Sequence, residues 1–222
     1  MSTKVKSLLF ILLAVALSLA VLSCRGGGSL KATDEEGPAR VETGEGAAGE
    51  EGAVKGKVLL AIAQRGFQDI EYDAVRKALT AAGYEVVTAS LQRGKATGTS
   101  GAFVDVDLSL AEAVAADYAA VVFIGGEGTP SLYGNADAHR LAREAAERGK
   151  VLAAICLAPV ILARAGLLDG KRATVYPSAS RELTEGGATY TGVGVEIDGR
   201  LVTGDGPESA GQFAQTIIEL LP

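Results

Sequence analysis

Residues 151–168 read VLAAICLAPVILARAGLL. An uncharged apolar run leads up to Cys156, and a helical pattern starts directly behind it. The run has the length and character of a strand buried on both faces of a parallel sheet. Pro159 suits a first helical turn, where its missing N–H is not needed. Val151–Ile155 therefore reads as a strand and Pro159–Ala165 as a helix. The same succession recurs along the chain. Val58–Ala63, Glu85–Ala89 and Ala119–Ile124 read as short buried strands. Ile70–Ala82 and Ala136–Arg148 read as helices, with Gly83 and Gly149 where helix stops belong. Strands alternating with helices imply βαβ units and an α/β three-layer sandwich on a mostly parallel central sheet. Glu196–Val202 reads as a hairpin around Asp198-Gly199, and Pro207–Leu221 as a closing amphipathic helix. Residues 55–222 are enough for one domain with a sizeable core.

The N-terminus is of a different kind. Lys4 and Lys6 precede Leu8–Leu22, which is apolar except for Ser18. The run is short for a spanning helix, which needs about 20 residues, and it has the charged and apolar regions of a secretory signal. It ends in Val21-Leu22-Ser23-Cys24, which resembles a bacterial lipobox. The expectation is a signal over residues 1–23 and lipid on Cys24, with the chain exported and anchored to a bacterial membrane on its extracytoplasmic side. An uncleaved anchor or an ordinary signal peptide would export it equally. Residues 25–54 carry three basic and seven acidic side chains, a net of −4 within a total of −6. No aromatic residue occurs there, so too little apolar surface exists to offset ordering, and an acidic linker over 24–54 is expected. Its acidity argues against nucleic acid, which needs a basic footprint.

Cys24 and Cys156 are the two cysteines of the chain. If Cys24 is acylated, Cys156 is a lone thiol in an exported protein, either reactive or an inert buried hydrophobe. Ligands of open α/β sheets bind beyond the carboxyl ends of the strands. The candidate site is thus Gln64–Asp69, Gly125–Gly128 and Cys156–Ala158. Ala154 and Ala158 flank Cys156 with the small-x-nucleophile-x-small spacing of a nucleophile elbow. A helix N-terminus behind the sulfur would favour the thiolate. Glu71 lies on the apolar stripe of its helix with Ala74, Val75, Ala78, Leu79 and Ala82, and so at the core-facing end near the strand tips. It is either a first-turn glutamate favoured by the helix dipole or a part-buried acid of raised pKa, able to donate to a thiolate. Gly125-Gly126-Glu127-Gly128 could bring backbone N–H groups to an oxyanion, or be a plain loop. The dinucleotide fingerprint is absent, and no metal site is expected.

Val58–Glu71, Val122–Gly126, Val151–Pro177 and Asp198–Phe213 together resemble the ThiJ/PfpI superfamily. The more specific pieces are Ala154-Ile155-Cys156, Ala173-Thr174-Val175-Tyr176-Pro177, and Asp198-Gly199-Arg200-Leu201-Val202-Thr203 with Gly206-Pro207-Glu208. The resemblance implies a flavodoxin-like fold, a homodimer or higher homo-oligomer, and no cofactor. It makes Cys156 the elbow nucleophile, Glu71 the buried acid that hydrogen-bonds it, and Gly125, Gly126 and the Leu157 amide the oxyanion donors. The sequence also departs from the pattern. Leu157 stands where the protease-like branch has histidine, and Tyr176 where the deglycase-like branch has it. Gln68 replaces an acidic residue of the same loop. His139, the single histidine, falls on a helix whose pattern suggests solvation. A Cys–His dyad is therefore missing, and proteolysis, which needs a proton donor for the leaving amine, is disfavoured. Tyr176 and Gln68 remain possible ligand contacts, with a core strand tyrosine as the alternative for Tyr176. Two functions stand. Cys156 acts on a small electrophile such as a 2-oxoaldehyde, in glyoxalase, deglycase or hydrolase-like chemistry. Alternatively it meets an oxidant and passes to sulfinic acid in a redox-sensing or binding protein.

Overall fold

The computed structural model describes residues 54–222; the signal-like segment, Cys24 and most of the acidic linker lie outside the described residues. In chain order the elements are β1 (Gly56–Ala61), β2 (Arg65–Phe67), α1 (Asp69–Ala81), β3 (Tyr84–Ser90), β4 (Gly94–Gly98), β5 (Phe103–Val106), β6 (Leu108–Ser109), β7 (Ala120–Phe123), α2 (Ala136–Glu147), β8 (Val151–Ile155), α3 (Pro159–Arg164), β9 (Arg172–Ala173), α4 (Ser180–Glu185), β10 (Thr189–Tyr190), β11 (Val195–Asp198), β12 (Leu201–Gly204) and α5 (Ala210–Leu220). Seven strands form one sheet in the order β11-β12-β8-β7-β1-β3-β6. Every neighbouring pair in it is parallel except β11 with β12. The central α/β reading of the sequence holds.

Successive strand residues feed opposite cores, as a pleat with period two requires. Leu60, Val122, Ala153 and Ile155 pack under α1 and α5 with Val75, Leu79, Phe213 and Ile217. Leu59, Val121, Phe123, Leu152 and Ala154 pack on the other face under α2 and α3, with Leu141, Ala142, Val160 and Ile161. Strands buried on both sides have no polar face to show, which is why they read as unbroken apolar runs.

Outside the closing segment the bounds shift by up to two residues at individual ends, the ordinary fraying of helix and strand termini. The closing segment departs more. Pro207–Ser209 is a 3-10 turn, and the α-helix starts only at Ala210. The hairpin turn is Gly199-Arg200, with Gly199 at φ 66°; glycine at the first turn position matches the twist of the strands it joins. A three-stranded sheet, β2-β4-β5, was not expected from the sequence. Its strands carry glycine and exposed polar residues, so neither periodicity marks them.

Candidate active site

The carboxyl ends of β1, β7, β8 and β12 meet at one edge of the sheet, and the candidate residues collect there. Cys156 directly follows β8. Its φ is 62°, the single positive value of a non-glycine residue among the described residues. Such a left-handed backbone costs roughly 1–3 kcal/mol and persists where the surroundings over-determine it. They do so here. The Cys156 N–H donates to the Gly204 carbonyl at 2.9 Å, and its carbonyl accepts from the Tyr176 N–H at 2.9 Å. Ala154 and Ala158 are fully buried beside the bend. Cys156 itself is 7 % exposed.

Glu71 is reached from the first turn of α1, which packs on the same face as α5. It has no exposed surface. Its Oε2 accepts the Gly125 N–H at 3.0 Å. Its Oε1 is buried without a full hydrogen-bond partner, although the Cys156 thiol bears on the carboxyl. Burial pushes the Glu71 pKa up to about 7; the Gly125 N–H and Cys156 oppose that rise, and Asp205 adds to it.

The loop after β7 is stitched to the β2–α1 connection. The Gln68 N–H donates to the Gly125 carbonyl at 2.8 Å, and the Gly128 N–H to the Gly66 carbonyl at 2.9 Å. A side chain on Gly126, whose φ is 125°, would collide with the Gly66 carbonyl. Glycine is therefore required by the close approach of two backbones.

Several expectations change at this point. Gly125 is not an oxyanion donor, because its single N–H is spent on Glu71. The N–H groups that bear on the sulfur are those of Gly126 and Leu157. The thiol is not acidified by a helix N-terminus. α3 starts three residues later and is only six residues long. Burial, then the Glu71 carboxylate, push Cys156 up to about 12, and the two amides act against them. Glu71 and Cys156 are one coupled pair, so the two values belong to the pair. Between them it holds a single proton. That proton sits either on the sulfur or on Glu71, and only the second form is nucleophilic.

Tyr176 is not a core strand residue. It is 45 % exposed, and its ring lies across Gly206 at the mouth. Gln68 caps α1, its Oε1 accepting the Ile70 N–H at 3.3 Å. His139 is half-buried rather than solvated, its Nε2 2.9 Å from the Tyr133 carbonyl. The sequence reading passed over Asp205, at the exit of β12, and Tyr133, on which the charge of Cys156 bears. Asp205 could have been found by applying the strand-end rule to β12 as well, because the hairpin reading stopped at Val202. Surface cavities of about 640, 490 and 460 Å³ are not lined by Cys156. Among the described residues no three His, Cys, Asp or Glu side chains converge to hold a metal ion, and no helix is long and apolar enough to cross a membrane.

A sequence model of the DJ-1/PfpI family matches residues 56–220. An uncharacterized protein of Methanocaldococcus jannaschii is 36 % identical over 168 residues, which is 74 % of this chain and 82 % of that one. A deglycase of Pyrococcus horikoshii is 32 % identical over 74 % of this chain and 99 % of its own. Among solved structures, a ThiJ/PfpI domain protein from Brachyspira murdochii superimposes with a TM-score of 0.73 at 30 % identity, covering 74 % of this chain and 95 % of its own. DJ-1beta of Drosophila melanogaster does so with a TM-score of 0.69 at 32 % identity, covering 75 % and 90 %.

Proposed function

Because the chain belongs to the DJ-1/PfpI family, we propose that it is a cysteine-dependent enzyme of deglycase, glyoxalase or hydrolase-like type, acting on small carbonyl electrophiles. The observation that carries this reading is the strained Cys156 at φ 62°, coupled to a fully buried Glu71. A buried acid beside a nucleophile is how a site keeps a proton at hand near neutral pH. The Cys156 thiolate adds to the aldehyde carbon of a 2-oxoaldehyde, forming a C–S bond. The developing oxyanion is met by the Gly126 and Leu157 N–H groups and takes a proton to give a hemithioacetal. Glu71 then carries a proton from that carbon to its neighbour, the task a histidine would otherwise share. Water releases the 2-hydroxy acid and restores the thiol. Relatives named deglycase, from two Pyrococcus species, support the substrate class. Peptide hydrolysis is not part of the proposal, since Leu157 offers no side-chain proton donor.

The protein is further proposed to be exported and held at a bacterial membrane by lipid on Cys24, with 1–23 as signal, 24–54 as spacer and 55–222 as a domain that pairs with itself. The Val21-Leu22-Ser23-Cys24 pattern supports the anchor.

One observation favours a second reading, redox sensing. Glu71 Oε1 is buried without a full partner, and a protonated carboxyl there could donate to a sulfinate on Cys156. The test is methylglyoxal turnover by the full chain, with Cys156→Ala beside it. Turnover that disappears in the variant supports the enzyme. No turnover, with peroxide oxidation of Cys156 to the sulfinate, replaces it with the sensor.

A further inference from the structure

β8 and β12 carry the candidate site at their carboxyl ends, and a separate cavity opens at their amino ends. The two strands are parallel neighbours, with Leu152 opposite Leu201. Both leucines belong to the core under α2 and α3, and Leu167 packs against the same core. A cavity of about 280 Å³ is lined by these leucines together with Lys150, Lys171 and Arg200. β8 is five residues long, so the cavity lies roughly 15 Å from Cys156 along the strand. A molecule bound there leaves the elbow free.

Two of the three cations lack a counter-charge. Lys150 is half-buried, and its Nζ bonds a main-chain group, the Ala116 carbonyl, at 3.4 Å. Arg200 donates one N–H to the Leu220 carbonyl at 3.1 Å. Neither forms an ion pair among the described residues. Lys171 does, with Asp198 Oδ1 at 3.0 Å, and the other oxygen of that carboxylate accepts the Arg172 N–H at 3.1 Å. Among the described residues no acidic side chain lines the cavity. Lys150 and Arg200 also line an adjoining cavity of about 460 Å³. There Lys57 is paired with Glu85, and Asp117 is the acidic side chain of the lining.

A part-buried ammonium without a counter-ion costs free energy that a bound anion recovers. Arg200 has donors to spare, since a guanidinium carries five N–H groups in a fork that matches an oxyanion. An inorganic anion would leave the leucines in water. A neutral hydrocarbon would leave both cations unmatched. The lining therefore fits an anion with an apolar chain. Its volume lies just under the usual range for a small-molecule site, roughly 300–1,000 Å³, which suits one short chain rather than the two of a membrane lipid.

We propose that this cavity binds a single-chain alkyl carboxylate, its head between Lys150 and Arg200 and its chain on Leu152, Leu167 and Leu201. The inference is independent of the proposed function and uses none of its residues.

The experiment is photolabelling of the full chain with decanoate that bears a diazirine on its chain, mapped by mass spectrometry. Label is expected on the peptides that carry Leu152, Leu167 and Leu201. Excess decanoate should suppress it. Decanol and acetate, each lacking one half of the ligand, should not. At sub-saturating ligand, Lys150→Gln and Arg200→Gln are each expected to reduce that label roughly three- to tenfold. Ala146, exposed on α2, also lines the cavity. Ala146→Trp fills it at unchanged charge and should abolish the label. Label confined to other peptides overturns the proposal, as does label that survives Ala146→Trp or is unchanged in both charge variants. Suppression by decanol as strong as by decanoate overturns it too, as does suppression by phosphatidylglycerol vesicles but not by decanoate. If one charge variant does not fold, the other and Ala146→Trp decide by the same criteria.

Discussion

At Cys156 the backbone and the side chain are under separate constraints. The left-handed bend depends on Gly204 and Tyr176, which bond its N–H and carbonyl. The sulfur depends on Glu71, Gly126 and Leu157. Cys156→Ser keeps the bend and removes the soft nucleophile, so methylglyoxal turnover should fall by about a thousandfold or more with the melting temperature nearly kept. Gly125→Ala tests the other half. A methyl there would collide with the Cβ of Cys156 and lie 2.9 Å from Glu71 Oε2. We expect it to abolish fast alkylation of Cys156 and to cost about 1–3 kcal/mol in urea unfolding. A variant that alkylates normally would show that the Gly125–Glu71 contact is dispensable.

Among the elements, the start of α1 ties two sheets together. Gln68 caps the helix, and Asp69 accepts from Ser100 N–H at 2.8 Å, Thr99 Oγ1 at 2.9 Å and Ala102 N–H at 3.3 Å. These hold the β4–β5 hairpin against the helix that carries Glu71. Burial alone would raise the Asp69 pKa, but the bonds from Ser100, Thr99 and Ala102 outweigh it and leave it lowered. Asp69→Ala should therefore cost about 1–2 kcal/mol at neutral pH. The loss should be present above the ordinary aspartate pKa and fade as pH falls through the lowered value, where the wild-type carboxylate is protonated too. Chemical denaturation near pH 7 and near pH 3 checks both halves.

For the whole molecule, Glu71 couples stability to pH with the opposite sign. Its pKa rises from 4.5 to about 7 on folding, so the folded state binds the proton more tightly than the unfolded one. Stability is fully present below about 4.5 and is lost as pH climbs toward 7. The rise corresponds to a loss of up to about 3 kcal/mol. Glu71→Gln cannot ionise, so its stability relative to wild type should increase across that window and level off above it. Parallel pH profiles for the two proteins would contradict the assignment. Elsewhere in the core, Phe213 is fully buried between α5 and the sheet, and Phe213→Ala should cost about 3–5 kcal/mol.

The alternation of buried strands and amphipathic helices was legible because it depends on local periodicity. So were the elbow, from Ala154 and Ala158 around Cys156, and the inward placement of Glu71, from its stripe. The β4–β5 hairpin was not legible, because its exposed, glycine-containing strands carry no apolar period and are held by Asp69 from a distant helix. The duty of the Gly125 N–H was equally hidden, since sequence shows that a backbone can donate but not to what. Local order of residues thus settles which elements form and which faces they bury. The protonation of Cys156 and Glu71, the capping role of Gln68 and the nearness of Asp205 were decided by tertiary structure. Burial and charge depend on what chain folding brings within a few ångströms, and residues 71, 125, 156 and 205 are neighbours in space alone.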